Sequence, residues 1–171
     1  MDFAKLSEKL MRMDDEAWAR HANPLSVWSR FSLLPLFALA VWSREWIGWW
    51  ALVPVAFVLL WIWVNPRLFG PPASVDNWAS KGVMGERLYL DRENVSIPEE
   101  HVRAARVLSA ASALGALILI YGLVVLDPWA TVCGILFSGA MKAWFVDRMV
   151  WLYEDMARTQ DVVESASRNP G

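Results

Sequence analysis

The sequence predicts an all-α membrane protein with four transmembrane helices arranged as two hairpins. Three observations carry this. Hydrophobic residues make up 56% of the 171 residues, above the ~45–50% usual in soluble domains, and the mean hydropathy is +0.30. The apolar residues gather into runs at residues 31–42, 46–64, 107–126 and 129–141, none of which holds Asp, Glu, Lys, Arg or His. Twelve tryptophans are present, and bilayer interfaces favour that side chain. The length fits a single membrane domain.

Residues 1–22 come first. Phe3, Leu6, Leu10, Met13 and Ala17 recur at steps of three and four, with Lys5, Glu8, Lys9, Arg12, Asp15 and Glu16 mostly elsewhere. That is an amphipathic helix expected on the cytoplasmic surface. No apolar signal region precedes the first span, so no secretory signal is expected there. Asn23 and Pro24 read as a helix start, the amide capping free N–H groups and the proline fitting the first turn. The first span is placed at residues 24–43, with Arg30 snorkelling toward headgroups. Its fully apolar part alone is too short for ~30 Å of hydrocarbon at ~1.5 Å per residue.

Ser43, Arg44 and Glu45 are expected to form a tight turn, and residues 46–64 the return span. Pro35 and Pro54 lie equally far from that turn, which predicts kinks at matched depth and an opening between them. Residues 65–103 form the long polar segment and the start of a third helix. Within it, a short helix over 75–82 capped by Ser74 and followed by a glycine turn is expected. Pro98 opens the third helix, with Glu99 and Glu100 in its first turn where carboxylates suit the helix dipole. Its span runs over 104–126, and Ala111, Ser112, Gly115, Ala116 and Gly122 supply surfaces for close helix contact. Asp127 and Pro128 start the fourth span, 128–146, with Gly134 and Ser138 as a further pair of small residues. A cytoplasmic extension over 147–160 follows, then a polar tail over 161–171 that is expected to fray.

Charge sets the orientation. Lys and Arg cluster before the first span, between the hairpins and after the last span, whereas the two hairpin turns hold only Arg44. The positive-inside rule then puts both termini and the polar segment in the cytoplasm, and the protein in the cytoplasmic membrane. Trp42, Trp46, Trp49, Trp50 and Trp129 fall at the outer interface, and Trp28, Trp61, Trp63, Trp144 and Trp151 at the inner one. A net charge of −2 gives no pull toward nucleic acid. The single Cys133 excludes an intrachain disulfide and, among apolar residues, is expected to be buried and inert.

The groups able to carry chemistry gather on the cytoplasmic side. His21, Glu86 and Asp147 are the catalytic candidates, and His21, Glu86, His101, Asp147 and Glu154 the metal-ligand candidates. Two imidazoles and several carboxylates suit zinc, manganese or non-haem iron if the spans bundle so that they meet. No HxxxH, ExxH or CxxC spacing fixes such a geometry. The plainer reading makes Glu99 with Arg103 and Glu154 with Arg158 surface pairs, and His101 a solvated residue. The segment from Lys81 to Arg87 lacks the order of a Walker loop. Arg67, Lys81, Arg87 and Arg92 are the candidates for anionic lipid headgroups. No serine has an identifiable base partner. The charge-free spans argue against a proton-coupled transporter.

The stretches RHANPLSVWSR (20–30), NPRLFGPP with NWASKGVMGER (65–87) and KAWFVDRMVWLYEDM (142–156) resemble an uncharacterised family of small four-helix bacterial and archaeal membrane proteins. The resemblance implies four helices and an undetermined role. Two function classes follow from the residues. One is a non-enzymatic assembly or interaction module, joining copies of itself or another membrane protein. The alternative is a membrane-embedded enzyme acting at the cytoplasmic interface on a lipid-like substrate, with or without a metal.

Overall fold

The computed structural model describes residues 15–168, and within them every regular element is helical. Most of the expected N-terminal amphipathic helix, and residues 169–171 of the tail, lie outside the described residues. Three stretches are long and apolar enough to cross a membrane: Pro24–Asn65, Glu99–Val125 and Pro128–Gln160.

Helix α1 (Asp15–His21) leads into α2 (Pro24–Phe31). The expected cap is present, with the Asn23 side chain accepting from the Leu25 N–H at 2.9 Å and Pro24 in the first turn. The helix breaks at Ser32 before α3 (Leu33–Trp42). Ser29 Oγ and Arg30 Nε both donate to the Ser26 carbonyl, and Ser32 Oγ donates to the Ser29 carbonyl. Side chains competing for helix carbonyls in this way bend or interrupt the helix. The reversal is longer than the expected tight turn. It comprises α4 (Arg44–Ile47) and a 3-10 turn (Gly48–Ala51), joined at Gly48 with φ of 55°. Helix α5 therefore starts at Leu52 and runs to Leu68.

Helix α5 packs back on α3. Ser26 Oγ donates to Asn65 Oδ1 at 2.8 Å, and Asn65 Nδ2 to Ser29 Oγ at 2.7 Å, with Ser26 and Asn65 fully buried. Asn23 Nδ2 also reaches the Gly70 carbonyl at 2.9 Å. These bonds clasp the two ends of the Pro24–Asn65 stretch together.

Pro35 and Pro54 do not kink mid-helix. Each is the third residue of its helix, α3 or α5, where backbone N–H groups lack intrahelical partners in any case. A cavity of about 360 Å³ lies instead between α3 and α8, lined by Pro35, Ala38, Trp42, Pro128, Thr131 and Ile135 among others but not by Pro54.

The polar segment holds α6 (Trp78–Leu90), capped by Asn77, whose side chain accepts from the Ser80 N–H at 2.9 Å. The expected helix over 75–82 is thus displaced. Gly82 and Gly85 are interior helix positions rather than a turn. Their use is close approach: a Cβ on Gly82 would lie 2.5 Å from Val146 Cγ1, and one on Gly85 1.9 Å from the Met149 carbonyl oxygen. Helix α6 is therefore pressed against the last helix.

Helix α7 (Glu99–Val125) and helix α8 (Pro128–Arg168) form the largest helix–helix contact. Their connection is two residues long, with Leu126 in the left-handed region (φ 57°) and Asp127 Oδ1 accepting from the Ala130 N–H at 2.7 Å. Gly115, Gly122 and Gly134 have no room for a Cβ. One on each would lie 2.6 Å from Ser138 N, 2.4 Å from Thr131 N and 2.4 Å from Leu119 N respectively. Backbones this close are what small residues permit between membrane helices. Ser138 Oγ also donates to the Ser112 carbonyl at 3.1 Å. Helix α8 continues to Arg168, well past residue 160, where the tail was expected to begin. Cys133 is exposed on α8 rather than buried, because the Gly134 face is the one turned to α7.

Two clusters make the core of the polar end. Tyr89, Ala105, Leu108, Phe145, Met149 and Leu152 join α6, α7 and α8. Trp18, Ala22, Val27, Ala79, Val83 and Leu90 join α1, α2 and α6. Helix α6 belongs to both, so it ties the Pro24–Asn65 unit to the α7–α8 pair.

Candidate functional site

At the polar end, α6 lies between α1, α2 and α8, and the titratable side chains meet along its sides. His21, at the end of α1, is buried against Trp18, the ring centroids 5.8 Å apart and edge to face. Arg30, one helix further on, turns back onto it. Its Nη1 donates to His21 Nε2 and also lies 3.3 Å from Nδ1, while Nη2 donates to the His21 carbonyl at 3.0 Å. An arginine only donates, so the imidazole must be neutral to accept. Burial, with the Arg30 charge second, pushes the His21 pKa down to about 3.

Glu86 joins this group from α6. Its Oε1 accepts from Lys142 Nζ of α8 at 3.1 Å, and Lys142 also sits 4.4 Å from the Phe145 ring centroid. Burial works against ionisation of Glu86. The Lys142 charge, with that of Arg30 behind it, outweighs this and holds the pKa below the ordinary carboxylate value. At neutral pH His21 carries no charge, so Arg30 and Lys142 face one carboxylate and the group is a net monocation.

The remaining candidates lie in separate contacts. Asp147 Oδ1 accepts from Trp78 Nε1 at 2.9 Å, and Trp78 stacks on Trp28 with centroids 5.5 Å apart. Glu154 pairs with Lys81 at 3.0 Å, and Lys81 also reaches Asp76 at 2.9 Å. The hydrogen bond to Lys81 lowers the Asp76 pKa, and the same bond, with the one to Glu154, raises that of Lys81.

His101 is buried at 3% exposure rather than solvated. Its Nε2 lies 2.9 Å from Asp155 Oδ2. Of the five metal-ligand candidates, the structure brings His21 and Glu86 into one charged group and places Asp147, Glu154 and His101 in three other pairings. Among the described residues, the set of three donors close enough to hold one metal ion is Glu100, His101 and Asp155. The expected pair Glu154 with Arg158 is replaced by Lys81 with Glu154 and by Arg158 with Asp155, the latter at 3.6 Å, and among the described residues Glu99 and Arg103 do not pair.

The four headgroup candidates are each engaged locally. Arg67 lies over the Trp63 ring and donates to the Trp63 carbonyl, and Arg92 does the same with Tyr89. Lys81 holds two carboxylates, and Arg87 on α6 is also engaged.

Sequence reasoning missed Arg30 and Lys142 as members of the charged group, and Asp155 as the partner of His101. The signal for Arg30 was present: a guanidinium immediately before a charge-free run, nine residues after a histidine. No sequence spacing links Glu86 to Lys142 or His101 to Asp155, because those contacts depend on how helices far apart in the chain are packed.

No curated protein and no solved structure matches this chain. A family model does match it over residues 4–170, and the chain belongs to that family, the family of unknown function DUF6653.

Proposed function

We propose that this is a four-span protein of the cytoplasmic membrane, built as two hairpins with both ends inside, which acts as a non-enzymatic assembly module. The clasp of Ser26 and Ser29 on Asn65 supports two passes within Pro24–Asn65. The strong exposure of Trp46, Trp49, Trp50 and Trp129 around the two reversals supports an outer aromatic belt.

The observation that carries the assembly reading is the cover of the first apolar unit. In the most apolar window of Pro24–Asn65 only 6% of residues are buried, against 28% in each of the other two candidate spans. Helix α5 packs on α3, α1, α2 and its own turn. It leaves Phe57, Leu60, Trp61 and Trp63 facing outward. On the second unit, Ser109, Ala110 and Ala113 form a small-residue face turned away from α8, the kind of surface that allows close approach of another membrane helix. The paired state of His21, Glu86, Asp147 and Glu154 fits a brace that fixes the polar end. Arg67, Lys81, Arg87 and Arg92 supply positive charge toward anionic headgroups of the inner leaflet.

The test is native mass spectrometry of the protein released from nanodiscs. The proposal expects a defined oligomer or a retained membrane-protein partner, disrupted by Ala113→Phe or by joint Phe57→Ala and Leu60→Ala substitution. A monomer that carries no partner at any protein concentration would refute it.

A further inference from the structure

Beyond the residues used above, the ends of α7 and α8 bring together Glu100, His101 and Asp155. One donor atom from each lies within 4.8 Å of the other two. His101 is the only one of the three that is buried, at 3% exposure, and it is held in place from one side. Its Nε2 lies 2.9 Å from Asp155 Oδ2, while its Nδ1 is buried without a hydrogen-bond partner. Buried polar atoms normally find partners, and one left bare calls for a reason. Glu100 is exposed and makes no ion pair or hydrogen bond among the described residues. Among the described residues, the cation paired to the group is Arg158, 3.6 Å from Asp155 Oδ1. Two carboxylates thus face one guanidinium and an imidazole, leaving uncompensated negative charge around an incompletely bonded histidine.

We propose that Glu100, His101 and Asp155 bind a divalent transition-metal cation, with zinc the best fit, which staples the polar ends of α7 and α8 together. An imidazole nitrogen with two carboxylate oxygens is a donor set that zinc accepts, at ~2.0–2.2 Å from each atom. The nitrogen donor favours zinc over the hard cations magnesium and calcium, which prefer all-oxygen sites. Modest side-chain movement closes a 4.8 Å spread to that coordination distance. Glu100 and His101 sit in the first turn of α7, and Asp155 lies 27 residues after Pro128, the start of α8. That separation is roughly 40 Å along the helix, beyond the ~30 Å hydrocarbon layer. The site therefore faces water and is open to ions in solution. This role is independent of the assembly reading.

Calorimetric titration of the metal-stripped, detergent-solubilised full chain with zinc chloride, and separately with magnesium chloride, tests the site. The expected result is one zinc per chain, with magnesium at least tenfold weaker. Zinc binding should weaken at least tenfold in both Glu100→Gln and Asp155→Asn and be unchanged in His21→Gln. Glu100 is exposed, so its variant should keep the metal-free melting temperature and decides the matter if Asp155→Asn folds poorly. Absence of stoichiometric zinc uptake, or uptake that Glu100→Gln leaves intact, overturns the proposal.

Discussion

Replacing Gly85 by alanine puts the packing of α6 on α8 to a direct test. The added Cβ would sit 1.9 Å from the Met149 carbonyl oxygen, 2.6 Å from its carbon and 3.1 Å from its Cα. These are backbone atoms of a long helix, so no side-chain rotation relieves the clash. A carbon normally rests ~3.3 Å or more from a carbonyl oxygen, so α6 must retreat by about 1.4 Å. Such overpacking costs ~1–3 kcal/mol, and the rigid neighbour puts this site at the upper end. Alanine returns about 1 kcal/mol of helix propensity, which leaves a net loss of about 2 kcal/mol. Gly139 is the control. It is also inside a helix, but its added Cβ meets nothing within 4 Å, so Gly139→Ala should stabilise by up to ~1 kcal/mol. Equilibrium unfolding of the detergent-solubilised protein, followed by tryptophan fluorescence and far-UV circular dichroism, reads both. A Gly85→Ala protein as stable as its parent, or one shifted in the same direction as Gly139→Ala, refutes the close α6–α8 contact.

Stability should fall on mild acidification. His21 is held neutral with a pKa near 3, whereas in the unfolded chain it takes a proton near 6.5. Below that pH the unfolded state binds the extra proton, so stability drops as pH falls from 6.5 toward 3, by about 2 kcal/mol at pH 5. Glu86 acts in the same direction at lower pH: its depressed pKa stabilises the fold above the ordinary carboxylate value, and that contribution is lost as pH falls through the folded value. Unfolding titrations at pH 7.5 and pH 5 should show the loss, and His21→Gln should flatten it between those values.

Asn65→Ala removes the amide that bridges Ser26 and Ser29 at a fully buried position. With the Ser26 hydroxyl left unpaired, the expected cost is about 2 kcal/mol, read as a lowered midpoint in the same unfolding assay.

The helical class and the apolar runs were legible because they rest on local properties. Asn23 before Pro24 and Asp127 before Pro128 cap their helices through side-chain bonds within three residues, so the dipeptides announced the starts correctly. The reversal around Gly48 was misjudged because residues 44–51 add a short helix and a 3-10 turn before α5 begins. Gly82 and Gly85 read as a turn because glycine usually marks one. Only the approach of α8, some sixty residues away, makes them contact positions. His101 illustrates the same limit: its helical spacing suits solvent, and Asp155 with the packed α7–α8 ends buries it. At the candidate site, residue types and the side of the molecule could be read in sequence. Which base meets which acid could not, because helix rotation decides it.

The most direct measurement of the four-span arrangement is cysteine accessibility in intact cells expressing a Cys133→Ser background. Single cysteines would be placed at Glu45 and Trp129, next to the two reversals, and at Ser74 and Asn94 in the polar segment. A membrane-impermeant maleimide is predicted to label the first two from outside and the last two only after the membrane is opened. Labelling of Glu45→Cys and Ser74→Cys from the same side would contradict two passes within Pro24–Asn65.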